Sequence, residues 1–224
     1  PYKSPTEMGV NMAGNCIIDD EACREASKQE IIRRYYKCLC EKRRNGTTKD
    51  DICKLELLMK QAEITVEDRK VTIVALEREK SENGNPAMAI ELRDGTIVSG
   101  GTSELLGAAS SALINALKVL AGIDKEVKLI DPKAIDPIQD LKINYLGSKN
   151  PRLHTDEVLT ALSATAANNE IAMKAMKKLP LLKGCDAHST VLLSSVDEQI
   201  FKKLGIQLTC EPKYEEDERM YHKN

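Results

Sequence analysis

The sequence predicts an α/β fold. A small N-terminal helical subdomain spans residues 1–69, and a three-layer α/β/α subdomain with a mixed sheet spans residues 70–224. Three observations lead there. Before residue 70, apolar residues recur at three- and four-residue spacing: Ile31, Ile32, Tyr35, Tyr36 and Leu39, then Ile52, Leu55, Leu58, Met59 and Ala62. At Lys70 the period changes, and the β-branched run Val71-Thr72-Ile73-Val74 has strand character. From there strand-like and helix-like segments alternate, the pattern of a mostly parallel sheet covered on both faces.

The elements follow in order. Residues 1–18, with Pro1, Pro5, Gly9 and Gly14, read as irregular. Asp19-Asp20 supplies an N-cap and Glu21 an acidic first turn for a helix that runs to about Arg44, where Asn45-Gly46 ends it. A second helix runs from about Lys49 through Ala62, and the short connection predicts an antiparallel pair. Residues 71–76 are expected as a strand. Asn83-Gly84-Asn85-Pro86 is a turn, and Asp94-Gly95 joins strands at 87–92 and 96–98 into a hairpin. Ser99-Gly100-Gly101-Thr102-Ser103 is expected to open a helix with Leu106, Leu113 and Leu117 on one face and Gly122 at its end. Then come a short strand at 127–130 and a short helix between Asp136-Pro137 and Tyr145. A long Ala-rich helix from Asp156 to Lys178, N-capped by Thr155, precedes a strand at 189–193, a helix at 196–204 and a strand at 206–210.

Composition excludes several function classes. Lys plus Arg number 33 against 35 for Asp plus Glu, so no net charge draws the chain to nucleic acid or to an anionic membrane. With no Trp, one Phe and six Tyr, there is no aromatic platform for single-stranded nucleic acid. No apolar run approaches the roughly 18 residues that span a bilayer. Pro1-Tyr2-Lys3-Ser4-Pro5 has neither a signal segment nor an initiator Met, so the chain is expected to be processed or cut from something longer. Seven scattered Cys, an odd number without a secretory signal, read as reduced thiols of a cytoplasmic protein.

Two stretches carry candidate chemistry. Gly100-Gly101-Thr102-Ser103 follows a strand and precedes a helix. Two glycines permit close backbone approach, helix-opening N–H groups attract anions, and the Thr102 and Ser103 hydroxyls add donors for a phosphate or carboxylate. The stretch lacks the full phosphate-loop spacing, and an ordinary Gly turn with a Ser cap is the plainer reading. In Cys185-Asp186-Ala187-His188-Ser189-Thr190, His188 is the candidate for proton transfer, while a polar loop entering a strand is the plainer alternative. A single Cys and His do not complete a metal site, and no metal is assigned. Arg33 and Arg34, in a basic stretch beside Tyr35 and Tyr36, offer a surface for an anionic ligand or the solvated face of a helix. Cys38 and Cys40 point apart on a helix and form no pair. His154 stands at a helix start, where it can cap, and Arg152 beside it can meet an anion.

Residues Ser4 to Asn11, Asp19 to Ala22 and Glu25 to Tyr35 resemble the bacterial domain-of-unknown-function family 1846. So do Asp94 to Val98, Leu106-Gly107-Ala108, Asn115 to Lys118 and Ala187 to Thr190. The chain resembles the C-terminal part of these longer proteins. The resemblance implies that an N-terminal part with a glycine-rich, phosphate-loop-like stretch is the missing partner of this chain. Some members carry an ATP-dependent peptidase label, but no zinc-protease His-Glu-x-x-His motif occurs here. In the family that the chain resembles, Lys often stands where this chain has Gly101, a departure that would weaken phosphate binding at that turn.

Two functions from different classes remain. One is the C-terminal portion of a cytoplasmic enzyme that uses a nucleotide or a small phosphorylated metabolite, with Gly100, Gly101, Thr102, Ser103, Arg33 and Arg34 holding the anion and His188 moving a proton. The other is a non-catalytic module that assembles a homo-oligomer. The sequence names no cofactor.

Overall fold

The computed structural model describes residues 19–46 and 49–215. Residues 1–18, expected to be irregular and including Ser4 to Asn11, lie outside them, as do residues 216–224. The chain divides into two compact units, Pro1–Lys70 and Val71–Asn224.

In the first unit, helix α1 (Asp20–Asn45) begins where the Asp19 carboxylate accepts the Ala22 N–H at 2.9 Å. It ends at Gly46, whose φ of 76° lies in the left-handed region. Helix α2 (Lys49–Gln61) packs on it, and Ile31, Ile32, Tyr36, Met59 and Ile64 form the buried cluster between the helical segments.

The second unit begins with a correction. Residues 71–76 lie within helix α3 (Lys70–Ser81) and form no strand. Its buried residues are Val71, Thr72, Ala75 and Glu79, a helical spacing concealed by the β-branched run. Val71 and Ala75 pack on Ala89, and that burial outweighs the weak strand preference of Val and Ile. Strands β1 (Ala87–Glu91) and β2 (Ile97–Gly101) form the expected hairpin, with Ile90 opposite Val98. Strand β3 (Asp186–Ser189) joins β1 antiparallel, and β4 (Gln207–Cys210) joins β3 parallel. The sheet order is β2-β1-β3-β4. The sheet is therefore mixed, as expected, but β3–β4 is its one parallel pair among the described residues, against the mostly parallel expectation. Residues 127–130 form no strand, and Leu129 and Ile130 instead bury themselves in the core at a bend. β3 also ends earlier than expected, because the Ser189 hydroxyl bonds to both the N–H and the C=O of Val191 and turns the chain out of the ladder.

Helices cover both faces. Met88, Ile90 and Ala187 point into the main core with α4 (Ala108–Ala121) and α8 (Ser195–Lys203), whereas Ala89 points to α3. The start of α4 is a second correction: Gly100 and Gly101 end β2, and the helix opens at Gly107. A Cβ on Gly100 would overlap the Ala112 backbone N, so this glycine lets α4 lie against the strand. Helix α5 (Pro132–Asp140) runs into a π-helical turn, Leu141–Tyr145. The long helix expected over 156–178 is split into α6 (Thr155–Ala166) and α7 (Glu170–Met176). The Asn169 side chain caps α7 by accepting from the N–H groups of Ile171 and Ala172. Asn169→Ala is expected to cost about 1 kcal/mol in a urea melt, the usual worth of an N-cap. Among the described residues, no helix is long and apolar enough to cross a membrane.

Candidate functional site

The second unit contains a cleft of about 40 Å³, lined by the segments that follow β2 and β3 (Thr102; Val191 to Ser194) and by Pro86 just before β1. Ligands of α/β proteins favour the carboxyl ends of parallel strands, and β3 ends here. Helices α4, α6 and α8 all start on this cleft, through Gly107 to Ser110, His154 and Ser194. Each helix start carries partial positive charge.

The three starts are treated differently. At α4 the N-cap is Gly107, and no side chain caps the turn. Yet Ala108, Ala109 and Ser110 are buried, at 6%, 4% and 1% exposure. Buried helix-opening N–H groups need a partner. At α6 and α8 one carboxylate serves both ends. Asp197 Oδ1 accepts from the Thr155 N–H and the Thr155 hydroxyl, each at 2.9 Å. Oδ2 accepts from the Ser194 hydroxyl at 2.8 Å and lies 3.1 Å from His154 Nδ1. Burial alone raises the Asp197 pKa. The hydrogen bond and charge of His154, with the Thr155 amide and the Ser194 hydroxyl, outweigh burial and bring it down from 3.8 to about 2.

The loop before α6 brings in the cation. Arg152 Nη1 donates to Glu215 Oε1 at 2.8 Å, both side chains only 11% exposed. The loop is fastened from behind. Lys142, buried in the π-helical turn, donates to the Arg152 carbonyl at 2.6 Å and to Glu157 at 2.7 Å. Glu157 in turn accepts the His154 N–H at 2.7 Å, and Gln139 holds the Pro151 carbonyl at 2.9 Å. On the α4 side, the Ser110 hydroxyl donates to the Leu153 carbonyl at 3.0 Å. A π-helical turn that presents a buried lysine to a loop of this kind matches the frequent placement of such turns near functional sites.

Of the residues singled out in the sequence, Thr102 lines this cleft, its N–H and hydroxyl both donating to the Pro86 carbonyl. Gly100 and Gly101 lie in β2. Ser103 is exposed and folds back on Leu106, accepting its N–H at 3.0 Å. His188 lies within β3, fully buried, with Nδ1 2.9 Å from the Thr209 hydroxyl and Nε2 3.2 Å from Glu211 Oε1; it does not line the cleft. Arg33 and Arg34 belong to the first unit, where both pair with Glu30 on the same helix. The residues the cleft does gather include Arg152, noted above as able to meet an anion, His154, noted above as a helix start, and Asp197, which had drawn no attention. Ser194 to Asp197 is a Ser-x-x-Asp capping pattern, and that was the available signal. Among the described residues, no group of three or more His, Cys, Asp or Glu side chains is placed to hold a metal ion.

Comparison with known proteins places the chain. A family model described as "Domain of unknown function DUF1846, C-terminal" matches residues 67–221, and one described as "Domain of unknown function DUF1846, N-terminal" matches residues 1–63. The chain is 55% identical over 215 residues to a "UPF0371 protein" of Corynebacterium glutamicum (strain R), covering 96% of this chain and 43% of that protein. It is 52% identical over 223 residues to "UPF0371 protein stu1377" of Streptococcus thermophilus, covering 100% of this chain and 45% of that protein. The chain thus spans less than half the length of the curated relatives it matches. The expectation of a C-terminal part alone is corrected, since residues 1–63 match the N-terminal model. The chain belongs to the DUF1846 family.

Proposed function

We propose that the cleft of the second unit binds the phosphate or carboxylate group of a small metabolite, as part of a cytoplasmic enzyme that acts on that metabolite. The observation that carries this reading is the first turn of α4, buried and without a side-chain cap, in the same cleft as Arg152. Helix-opening N–H groups beside a guanidinium are the usual chemistry of oxyanion recognition. About 40 Å³ is room for a few waters or the oxygens of one anionic group. The remainder of a ligand lies outside the cleft, with the Thr102 hydroxyl at its wall. Arg152 rests on Glu215, so the incoming anion takes the place of the Glu215 carboxylate.

Isothermal titration with inorganic phosphate tests this. Arg152→Met is expected to weaken binding at least about tenfold, the worth of a charge-assisted hydrogen bond. Glu215→Gln is expected to tighten it, because the competing charge is gone. Phosphate affinity indifferent to both changes would end the reading.

A second reading, assembly of a homo-oligomer, has one observation of its own. Leu141, Tyr145 and Leu146, on and just after the π-helical turn, are 50%, 76% and 73% exposed. Exposed apolar clusters favour association. Sedimentation at micromolar concentration tests it: a dimer that Leu146→Glu dissociates supports assembly, and a monomer ends it.

A further inference from the structure

We propose that Asn150 is a ligand-binding residue of the cleft, donating its side-chain amide to an oxygen of the bound anion, and that this further donor fits the site to the phosphate group of a phosphomonoester rather than to a carboxylate. The inference rests on the anion-cleft reading and narrows it. Its evidence is a buried amide that is only half used. Asn150 is 3% exposed and lines the cleft beside Arg152. Its Oδ1 accepts the Arg152 N–H at 3.0 Å. Only the carbonyl end of the amide can accept, so this bond fixes which end is which. Nδ2, with two N–H groups, makes no hydrogen bond among the described residues.

The loop holds this amide in place. The Ser148 hydroxyl accepts the Asn150 N–H at 3.2 Å and donates to the Asn150 carbonyl at 3.4 Å. Gln139 fastens the next carbonyl, that of Pro151, and Lys142 the one after, that of Arg152. A buried amide N–H without an acceptor is costly, and buried polar groups of folded proteins are paired as a rule. An Asp at this position would accept the Arg152 N–H equally well and close the same turn. What the amide adds over a carboxylate is a donor beside Arg152, and a bound anion supplies the acceptor it lacks.

Donors thus line the cleft from three separate segments: the first-turn N–H groups of α4, the Arg152 guanidinium and the Asn150 amide. A phosphate ester turns three free oxygens in three directions, whereas a carboxylate keeps two oxygens in one plane. The carboxylates already lining the cleft serve other donors. Asp197 accepts from Thr155 and Ser194 and faces His154, and Glu215 accepts from Arg152.

The test is side-chain amide NMR on the 224-residue chain during titration with inorganic phosphate, the Asn150 pair being assigned through its own backbone. The two Nδ2 proton signals are expected to shift with the Ala108 and Ala109 amides, at one common phosphate affinity. Asn150→Ser keeps an oxygen for the Arg152 N–H, carries no charge and removes the amide. It is expected to weaken phosphate about tenfold, the worth of a hydrogen bond to a charged group. Asn150→Asp keeps the turn but adds a negative charge, and is expected to weaken it further. Malonate, a dianion with planar carboxylates, is expected to bind at least about tenfold more weakly than phosphate. Phosphate that shifts the Ala108 and Ala109 amides yet leaves the Asn150 pair unmoved overturns the proposal and spares the anion cleft. So does phosphate affinity unchanged by Asn150→Ser, or malonate bound as tightly as phosphate. Phosphate that shifts none of these amides overturns both.

Discussion

Asp197→Ala is expected to lower the stability of the chain by about 3–5 kcal/mol, the cost of removing one partner from a buried charged cluster. The carboxylate meets the Thr155 N–H, the Thr155 and Ser194 hydroxyls and the His154 ring, so its loss orphans donors at the starts of α6 and α8 together. Its titration gives the effect a pH signature. The folded pKa is depressed from 3.8 to about 2, so this contribution is fully present above the unfolded value and is lost as pH falls through the folded one. The shift corresponds to about 2 kcal/mol. Urea melts of the unaltered chain and Asp197→Asn should therefore differ most near neutrality and converge between about pH 4 and pH 2. A gap that stays constant across that window would mean that the ionised carboxylate is not what the cluster uses.

The second large effect concerns a glycine. Gly100→Ala places a methyl on the backbone of α4 at Ser111 and Ala112, and a helix backbone cannot step aside locally. The whole of α4 must lift from β2, loosening the core cluster to which its buried Leu113 and Leu117 belong. The expected loss is about 3 kcal/mol or more, at the upper end for overpacking. Two neighbours calibrate it. At Gly101→Ala the nearest atoms are those at the end of the Glu82 side chain, which pairs with Arg78 and can swing, so its loss is smaller. Gly107→Ala meets nothing within 4 Å and is expected to be close to neutral. Thermal melts ranking the three in that order identify Gly100 as a packing glycine. A Gly100→Ala chain that melts normally but no longer binds phosphate would instead restore the phosphate-turn reading of residues 100–103.

The same residues show what was legible in the sequence. Signals acting over a few residues were readable: Asp19 and Gly46 bounding α1, Asp94-Gly95 closing the hairpin, Gly122 ending α4. The sequence misled where tertiary burial overrides a local signal. Val71-Thr72-Ile73-Val74 looks like a strand, yet its 71, 72, 75, 79 face is what α3 buries. Gly100-Gly101 looks like a helix-opening turn, yet its glycine serves a helix passing 12 residues later in the chain. The cleft was hidden for a related reason. Thr155 and Asp197 lie 42 positions apart, and Arg152 and Glu215 lie 63 apart, so no spacing in the sequence marks either pair. Single residues of the site were readable as caps, and only the fold shows that three caps share one cleft.

The most direct measurement is a crystal structure of this chain grown in saturating inorganic phosphate. The predicted result is a tetrahedral anion within hydrogen-bond reach of the Ala108 and Ala109 amides and of the Arg152 guanidinium, with Glu215 released from Arg152. An unfilled α4 start at saturating phosphate, with Arg152 still paired to Glu215, would contradict the account.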